Sequence, residues 1–260
     1  NAPYPATAVL AASLRARGYE PAQADLSLAL VLRLFSSAFL ARAQSQLARH
    51  PRHRSPSVRH FLRHAPEYNR VVDDVVRFLQ GRQPELAHRL AVRGFLPEGP
   101  RFAPVDDQGL DEAAAGPMAV ADRAKWLASL MLDDLADVIR DGLDPRFGFS
   151  RYGERLAVAL PTFAPLARAL AAPPTLVTDE LDALVDDLAA RHDPALAALT
   201  VPFPGCLPGA LLAARRLRQR RPGVRLALGG GYVNTELREL TDPAVLTGWT
   251  SSAATMARSR

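Results

Sequence analysis

Apolar residues follow two different patterns along this chain. A short apolar run at 196–201 and a second candidate strand at 224–228 enclose a segment at 208–221 in which leucines recur at helical spacing among arginines. Continuous apolar runs are typical of strands in parallel sheets, whose two faces are covered by helices. The proline and glycine at 222–223 end the helical pattern. This stretch therefore predicts a parallel strand–helix–strand unit that closes with three glycines at 229–231.

A long middle region shows only the helical pattern. Because no alternation of apolar and polar residues indicates a strand there, we predict an all-helical insertion at 28–175 within an α/β domain. The flanking parts of that domain are 1–27 and 176–249, and 250–260 is predicted to be an irregular tail. Within the insertion we predict helices at 28–47, 58–64, 68–80, 86–92, 119–139 and 152–170, a basic loop at 50–56 and a loop at 97–117.

The flanking parts show weaker signals for further elements. A helix at 7–17 ends at Gly18, and a helix that starts so early ordinarily follows a strand, so we expect the first strand of the sheet to precede Asn1. Thr178 resembles the N-cap of a helix that leads into the strand at 196. We also predict strands at 19–26 and 244–246 and a short helix at 235–240.

Composition limits the class of protein. The 260 residues are 48% hydrophobic and 23% charged, as in soluble globular proteins, and we expect a cytoplasmic location. The one cysteine, Cys206, excludes a disulfide framework or a multi-cysteine metal site within this chain. No apolar run approaches the roughly 20 residues that span a bilayer. The net charge is +5, but arginines alternate with acids on the predicted helix faces, so we expect neither a membrane nor a nucleic-acid partner.

No catalytic motif stands out. His60 and His64 lie four residues apart, yet no acidic residue lies between them as in the zinc-protease motif. We therefore predict solvated histidines and no metal site. We interpret Cys206 as a small buried residue. We make no prediction that this chain is itself an enzyme.

The carboxyl ends of the two predicted strands are the strongest candidates for a binding site. Ligands of open parallel sheets bind at this edge, and glycines let a backbone approach a bulky ligand. The glycine spacing differs from the dinucleotide fingerprint, so NAD is not expected. The candidate cofactor-binding residues are Thr200, Val201, Pro202, Phe203, Pro204, Gly205, Gly229, Gly230, Gly231, Tyr232 and Asn234.

These residues carry a resemblance to a known family. The run LTVPFPGCLPGALLAARRLRQRRPGVRLALGGGYVNTELREL, followed by Asp-Pro at 242–243, resembles the cobalamin-binding domain of B12-binding radical SAM proteins. The stretches ATAVLAASLRARGYEPAQADLSL at 6–28 and DPRFGFSRYGERLA at 144–157 are similar to other parts of such proteins. The resemblance implies a flavodoxin-like, Rossmann-type sheet that holds cobalamin against the loops at 200–205 and 229–234.

The resemblance also implies a larger parent protein. In such an enzyme a following radical SAM barrel binds a 4Fe–4S cluster through a Cys-x-x-x-Cys-x-x-Cys motif and cleaves S-adenosylmethionine. This chain lacks that motif, and it also lacks the Asp-x-His-x-x-Gly sequence that supplies a lower cobalt ligand. We therefore interpret it as a cobalamin-binding fragment whose partners are cobalamin and the barrel of the parent chain. The alternatives are a stand-alone α/β ligand-binding or interaction protein and an arginine-rich nucleic-acid binder.

Overall fold

The chain folds as two compact units. The computed structural model describes residues 5–49, 55–107, 119–148, 164–235 and 251–252. The helical unit comprises Leu30–Phe149 and Thr175–Val177. The sheet unit comprises Asn1–Ala29, Ser150–Pro174 and Thr178–Arg260.

Helices dominate the described residues of both units. The helices before residue 150 are α1 (Ala6–Arg15), α2 (Leu26–Leu34), α3 (Ser37–Arg49), α4 (Pro56–Arg63), α5 (Ala65–Leu79), α6 (Ala87–Leu90), α7 (Ala103–Asp107) and α8 (Val120–Gly142), with short 3-10 turns at Pro84–Leu86 and Pro100–Phe102. The later elements are α9 (Ala164–Ala171), α10 (Leu176–His192), β1 (Leu196–Thr200), a 3-10 turn at Pro204–Cys206, α11 (Leu207–Arg220), β2 (Arg225–Gly229), α12 (Gly231–Thr235) and β3 (Ser251–Ser252).

Helix α8 is the centre of the helical unit. Its buried residues recur every three or four positions, as in Leu127, Met131 and Leu135, so one side of the helix is apolar along its length. That side packs against α4, α5 and α6. The aromatic rings of Phe39 and Tyr68 fill the same cluster. The prediction of a helix at 119–139 is confirmed, as are those at 58–64 and 68–80.

The single helix predicted at 28–47 is wrong, because α2 and α3 meet at a 63° bend. Ser36 starts the second helix by accepting the backbone N–H of Phe39 on its hydroxyl, at 3.2 Å. The backbone N–H of Ser37 donates to Asp73 Oδ1 at 3.0 Å, and its hydroxyl donates to Oδ2 at 2.6 Å. A carboxylate from α5 therefore caps α3, and the apolar pattern alone does not reveal that cap.

The loop predicted at 97–117 is partly helical. Residues 100–102 form a 3-10 turn that continues as α7, while 108–117 lie outside the described residues. The backbone N–H of Arg101 donates to Asp134 Oδ1 at 2.9 Å, which anchors the turn on α8. The predicted helix at 86–92 is shorter, at Ala87–Leu90. Of the helix predicted at 152–170, residues 152–163 lie outside the described residues, and the described remainder is helical at Ala164–Ala171.

The strand–helix–strand unit is present as predicted. Strands β1 and β2 are parallel, with Leu196 opposite Arg225 and Thr200 opposite Gly229. Helix α11 connects them and is tied to α10 by Arg216, whose Nε donates to Asp186 Oδ1 at 2.7 Å. The third strand, β3, pairs parallel with β2 at residues 251–252, inside the stretch predicted to be an irregular tail.

Three other local predictions in the sheet unit are corrected. Residues 19–25 form no strand, because Asp25 instead caps α2 by accepting the N–H of Leu28 at 2.9 Å. Thr178 is not an N-cap, since α10 already begins at Leu176. The short helix predicted at 235–240 begins earlier, at Gly231, and residues 236–250, with the strand predicted at 244–246, lie outside the described residues.

The fold class is a largely helical α/β protein with a small parallel sheet. The flavodoxin-like connectivity and the domain boundaries at 27, 175 and 249 stay predictions. In the described part of the chain no single helix is long and apolar enough to cross a bilayer, and only the bent pair α2–α3 reaches that length and hydropathy together.

Candidate functional site

The two central strands end at the same edge of the sheet. Thr200 lies opposite Gly229, and the N–H of Val201 donates to the carbonyl of Gly229 at 2.7 Å. Because the strands are parallel, the loops that follow them leave the sheet side by side. The structure thus brings the two predicted site segments, 200–205 and 229–234, together.

The first loop turns directly into a helix. After Pro202, residues 204–206 form a 3-10 turn that runs into α11, whose second residue is Pro208. A proline costs little there because its missing N–H would have no helical partner. Phe203 is left 62% exposed at the tip of the loop, whereas Val201 is fully buried. The loop therefore presents an aromatic ring to solvent at the carboxyl edge of the sheet.

The glycines of the second loop have different roles. Gly230 has φ +110°, and a Cβ there would lie 2.5 Å from the carbonyl oxygen of Val201. Only glycine fits this position, because the two loops are packed backbone to backbone. Gly229 has no positive φ, and no described atom lies within 4 Å of the place its Cβ would occupy. The packing of the described chain therefore does not explain Gly229.

Helix α12 buries part of the predicted site. Tyr232 and Val233 join Val201 and Leu228 in a small apolar cluster, with Tyr232 only 7% exposed. Asn234 is exposed, and its backbone N–H donates to the carbonyl of Gly230 at 3.1 Å. Of the predicted site residues, Phe203, Gly205 and Asn234 are exposed, Thr200, Pro202, Pro204, Gly229, Gly230 and Gly231 are half-buried, and Val201 and Tyr232 are buried.

Asp25 lies within electrostatic range of Cys206, a proximity that the sequence analysis did not predict. Burial raises the pKa of the Cys206 thiol, the backbone of Phe203 lowers it in part, and the negative charge of Asp25 raises it further. The thiol is therefore neutral near pH 7. The position of Asp25 directly before an apolar helix would have predicted an N-cap in the sequence, because aspartate commonly occupies that position.

The two site loops, 200–205 and 229–234, contain no histidine. His192 is the one histidine within the sequence ranges of the sheet unit, and it precedes β1, whose opposite end carries the site. In the helical unit the rings of His60 and His64 lie 4.5 Å apart. The pKa of His60 is lowered, mainly by burial and also by His64 and Arg63. No group of three metal-binding side chains that could hold an ion is found in the described part of the chain.

No family model, curated protein sequence or solved structure matches this chain.

Proposed function

We propose that the sheet unit binds a corrinoid, cobalamin, at the carboxyl edge of β1 and β2. The observation that supports this most is the open space beside Gly229, at the edge where two parallel strands end in register. The loop that follows the other strand carries the exposed ring of Phe203. A flat macrocycle needs such an edge, with small residues where it approaches the backbone.

The residues at this edge would make different contacts with a bound corrin. Gly229 would let the corrin lie against the backbone, while Phe203 would cover part of its apolar rim. Thr200 and Asn234 would donate or accept hydrogen bonds with the corrin amides. The packing of Val201, Gly230 and Tyr232 holds the two loops together, so these residues would position the loops and would not contact the corrin.

The two site loops supply neither a histidine nor a thiolate as a ligand to cobalt. No histidine lies in the predicted site loops, and the thiol of Cys206 is neutral near pH 7 because burial raises its pKa. The residues present therefore fit a cofactor held by its ring and side chains. When bound, cobalamin would supply methyl-carrier or radical chemistry to the parent radical SAM enzyme that we propose. Within these 260 residues the single cysteine cannot bind a 4Fe–4S cluster, so the role of this chain is cofactor binding.

Hydroxocobalamin binding tests the proposal. The full chain is incubated with hydroxocobalamin and desalted, and the retained cofactor is measured from its visible spectrum. We expect Gly229→Leu to weaken binding by at least about tenfold, because a Cβ there meets no described atom within 4 Å and the side chain would extend into the space that the corrin needs. Gly223→Leu is the matched control, because Gly223 has equally open surroundings but lies at the opposite end of β2.

Three outcomes distinguish corrinoid binding at this edge from the alternatives. Retention by the wild type and by Gly223→Leu, but not by Gly229→Leu, supports the site. Equal retention by both variants overturns its location. No retention by a wild-type protein with a cooperative melt overturns corrinoid binding and favours the stand-alone α/β binding protein.

A further inference from the structure

Positive charge is concentrated in one part of the chain. Residues 26–66 contain no aspartate or glutamate, and their formal charge of +7 exceeds the +5 of the whole chain, so the remaining residues carry −2 between them. The alternation of arginines with acids that argued against a nucleic-acid partner holds for α5, α8 and α10 but not for this stretch. Its arginines are Arg33, Arg42, Arg49, Arg52, Arg54, Arg59 and Arg63.

Part of this charge lines a groove on the helical unit. The groove has a volume of about 600 Å³ and follows one face of α3. Arg42 and Arg49 are both exposed, and they lie seven residues apart, which is about 10 Å along a helix. Arg52 and Arg54 lie outside the described residues and form no part of this surface. The lining residues are Ala41, Arg42, Ser45, Gln46, Arg49 and Leu176.

We propose that this groove binds the sugar–phosphate backbone of a nucleic-acid duplex. Guanidinium groups bind phosphate oxygens in a bidentate manner, and a spacing of about 10 Å lets Arg42 and Arg49 meet different phosphates. Gln46 lies between them and carries an amide donor of the kind that commonly binds phosphate. The hydroxyl of the neighbouring Ser45 donates to the carbonyl of Ala41 at 3.0 Å. The chemistry recognised is the phosphodiester backbone, which DNA and RNA share.

The residues that line the groove argue against a peptide helix and against a single-stranded nucleic acid as the ligand. An amphipathic peptide helix needs a row of apolar anchors, and the groove offers only Ala41 and Leu176. A single strand is usually held by stacking its bases on aromatic rings, and no aromatic ring is among the lining residues of the groove. Of these ligands, the backbone of a duplex fits the lining best. The affinity of such backbone contacts is independent of base sequence and falls steeply as the salt concentration rises.

Fluorescence anisotropy with the full chain tests the proposal. The probes are labelled duplex DNA and duplex RNA of about 20 base pairs, or two helical turns, at a series of salt concentrations from about 50 mM. We expect Arg42→Gln/Arg49→Gln to weaken binding roughly tenfold or more and to reduce the slope of log K against log salt by about 1 for each arginine. Arg77→Gln/Arg82→Gln, on exposed positions of the same unit outside 26–66, is the control for equal loss of charge.

The outcomes separate a local surface from a general effect of net charge. Loss of binding in the first double variant, with both variants melting as the wild type does, supports the groove. Stronger binding of one duplex type then identifies DNA or RNA. Equal weakening by the control, or no duplex binding at about 50 mM salt, overturns the proposal. Binding only to polyglutamate or to anionic vesicles overturns it as well, in favour of an acidic protein or a membrane surface.

Discussion

At the scale of the residue, Asp134 is the most unusual side chain in the helical unit. It is 1% exposed, and its Oδ2 has no hydrogen-bond partner among the described residues. Its carboxyl group occupies the space where Gly99 would carry a Cβ, 2.5 Å from Oδ2. Burial raises its pKa to about 6, although backbone N–H groups of Arg101 and Gly99 lower it in part.

This carboxyl makes the stability of the protein depend on pH. The pKa of the Asp134 carboxyl is about 6 in the folded state and about 3.8 in the unfolded state. Proton binding to this carboxyl therefore stabilises the folded state at low pH, and that stabilisation is lost as pH rises through about 6. We expect Asp134→Asn to raise the free energy of unfolding by about 1–3 kcal/mol at pH 8, because the cost of the buried charge disappears. Urea melts at a series of pH values measure this effect. The gain should fade towards pH 4, and an equal gain at every pH would contradict the assignment.

At the scale of the element, the bend between α2 and α3 depends on a distant side chain. Asp73 on α5 accepts the backbone N–H and the hydroxyl of Ser37 at the first turn of α3. The carboxylate thereby satisfies a donor that would otherwise have no partner, and its negative charge lies at the positive end of the helix dipole.

Removing this cap should weaken the packing of α3 on α5. We expect Asp73→Ala to lower the free energy of unfolding by about 1–2 kcal/mol, the usual cost of a lost N-cap. Thermal and urea melts measure the change. Asp74→Ala is the control, because Asp74 forms only an exposed ion pair with Arg77 and should cost less than about 1 kcal/mol. Equal losses in the two variants would show that Asp73 does not cap the helix.

At the scale of the whole molecule, the helical unit carries a core of its own. Its buried cluster runs from Leu34 to Val177 and lies entirely within that unit. Asp144, which is 3% exposed, accepts the hydroxyl of Thr175 at 2.7 Å and the guanidinium of Arg146. The contact with Thr175 joins the end of the long segment of the unit, Leu30–Phe149, to its short second segment, Thr175–Val177.

The helical unit should therefore fold without the rest of the chain. We expect a fragment of residues 30–177 to show a helical circular dichroism spectrum and a cooperative thermal melt, because its apolar core is complete. Asp144→Ala should lower its free energy of unfolding by about 1–3 kcal/mol, since the half-buried donors of Arg146 and Thr175 lose this acceptor. A fragment without a cooperative transition would show that its core needs the sheet unit.

Local patterns carried much of the fold and of the candidate site. The strand–helix–strand unit was predictable because its apolar runs, its helical spacing and its proline and glycine boundaries all lie within 34 residues, from 196 to 229. The proximity of Thr200 and Gly229 followed from the parallel pairing of such a unit. The different roles of Gly229 and Gly230 were not predictable, because they depend on where the backbone of Val201 lies.

The sequence by itself determined where helices and the two main strands form, since helical periodicity and apolar runs depend on residues a few positions apart. Only the tertiary structure decided that Asp73 caps the start of α3 at Ser37 and that residues 251–252 pair with β2. It also decided that Asp25 lies close to Cys206. The physical reason is that the Asp73 cap, the pairing of β3 and the effect of Asp25 on the Cys206 thiol each depend on a residue far away in the chain, which only the folded chain brings close.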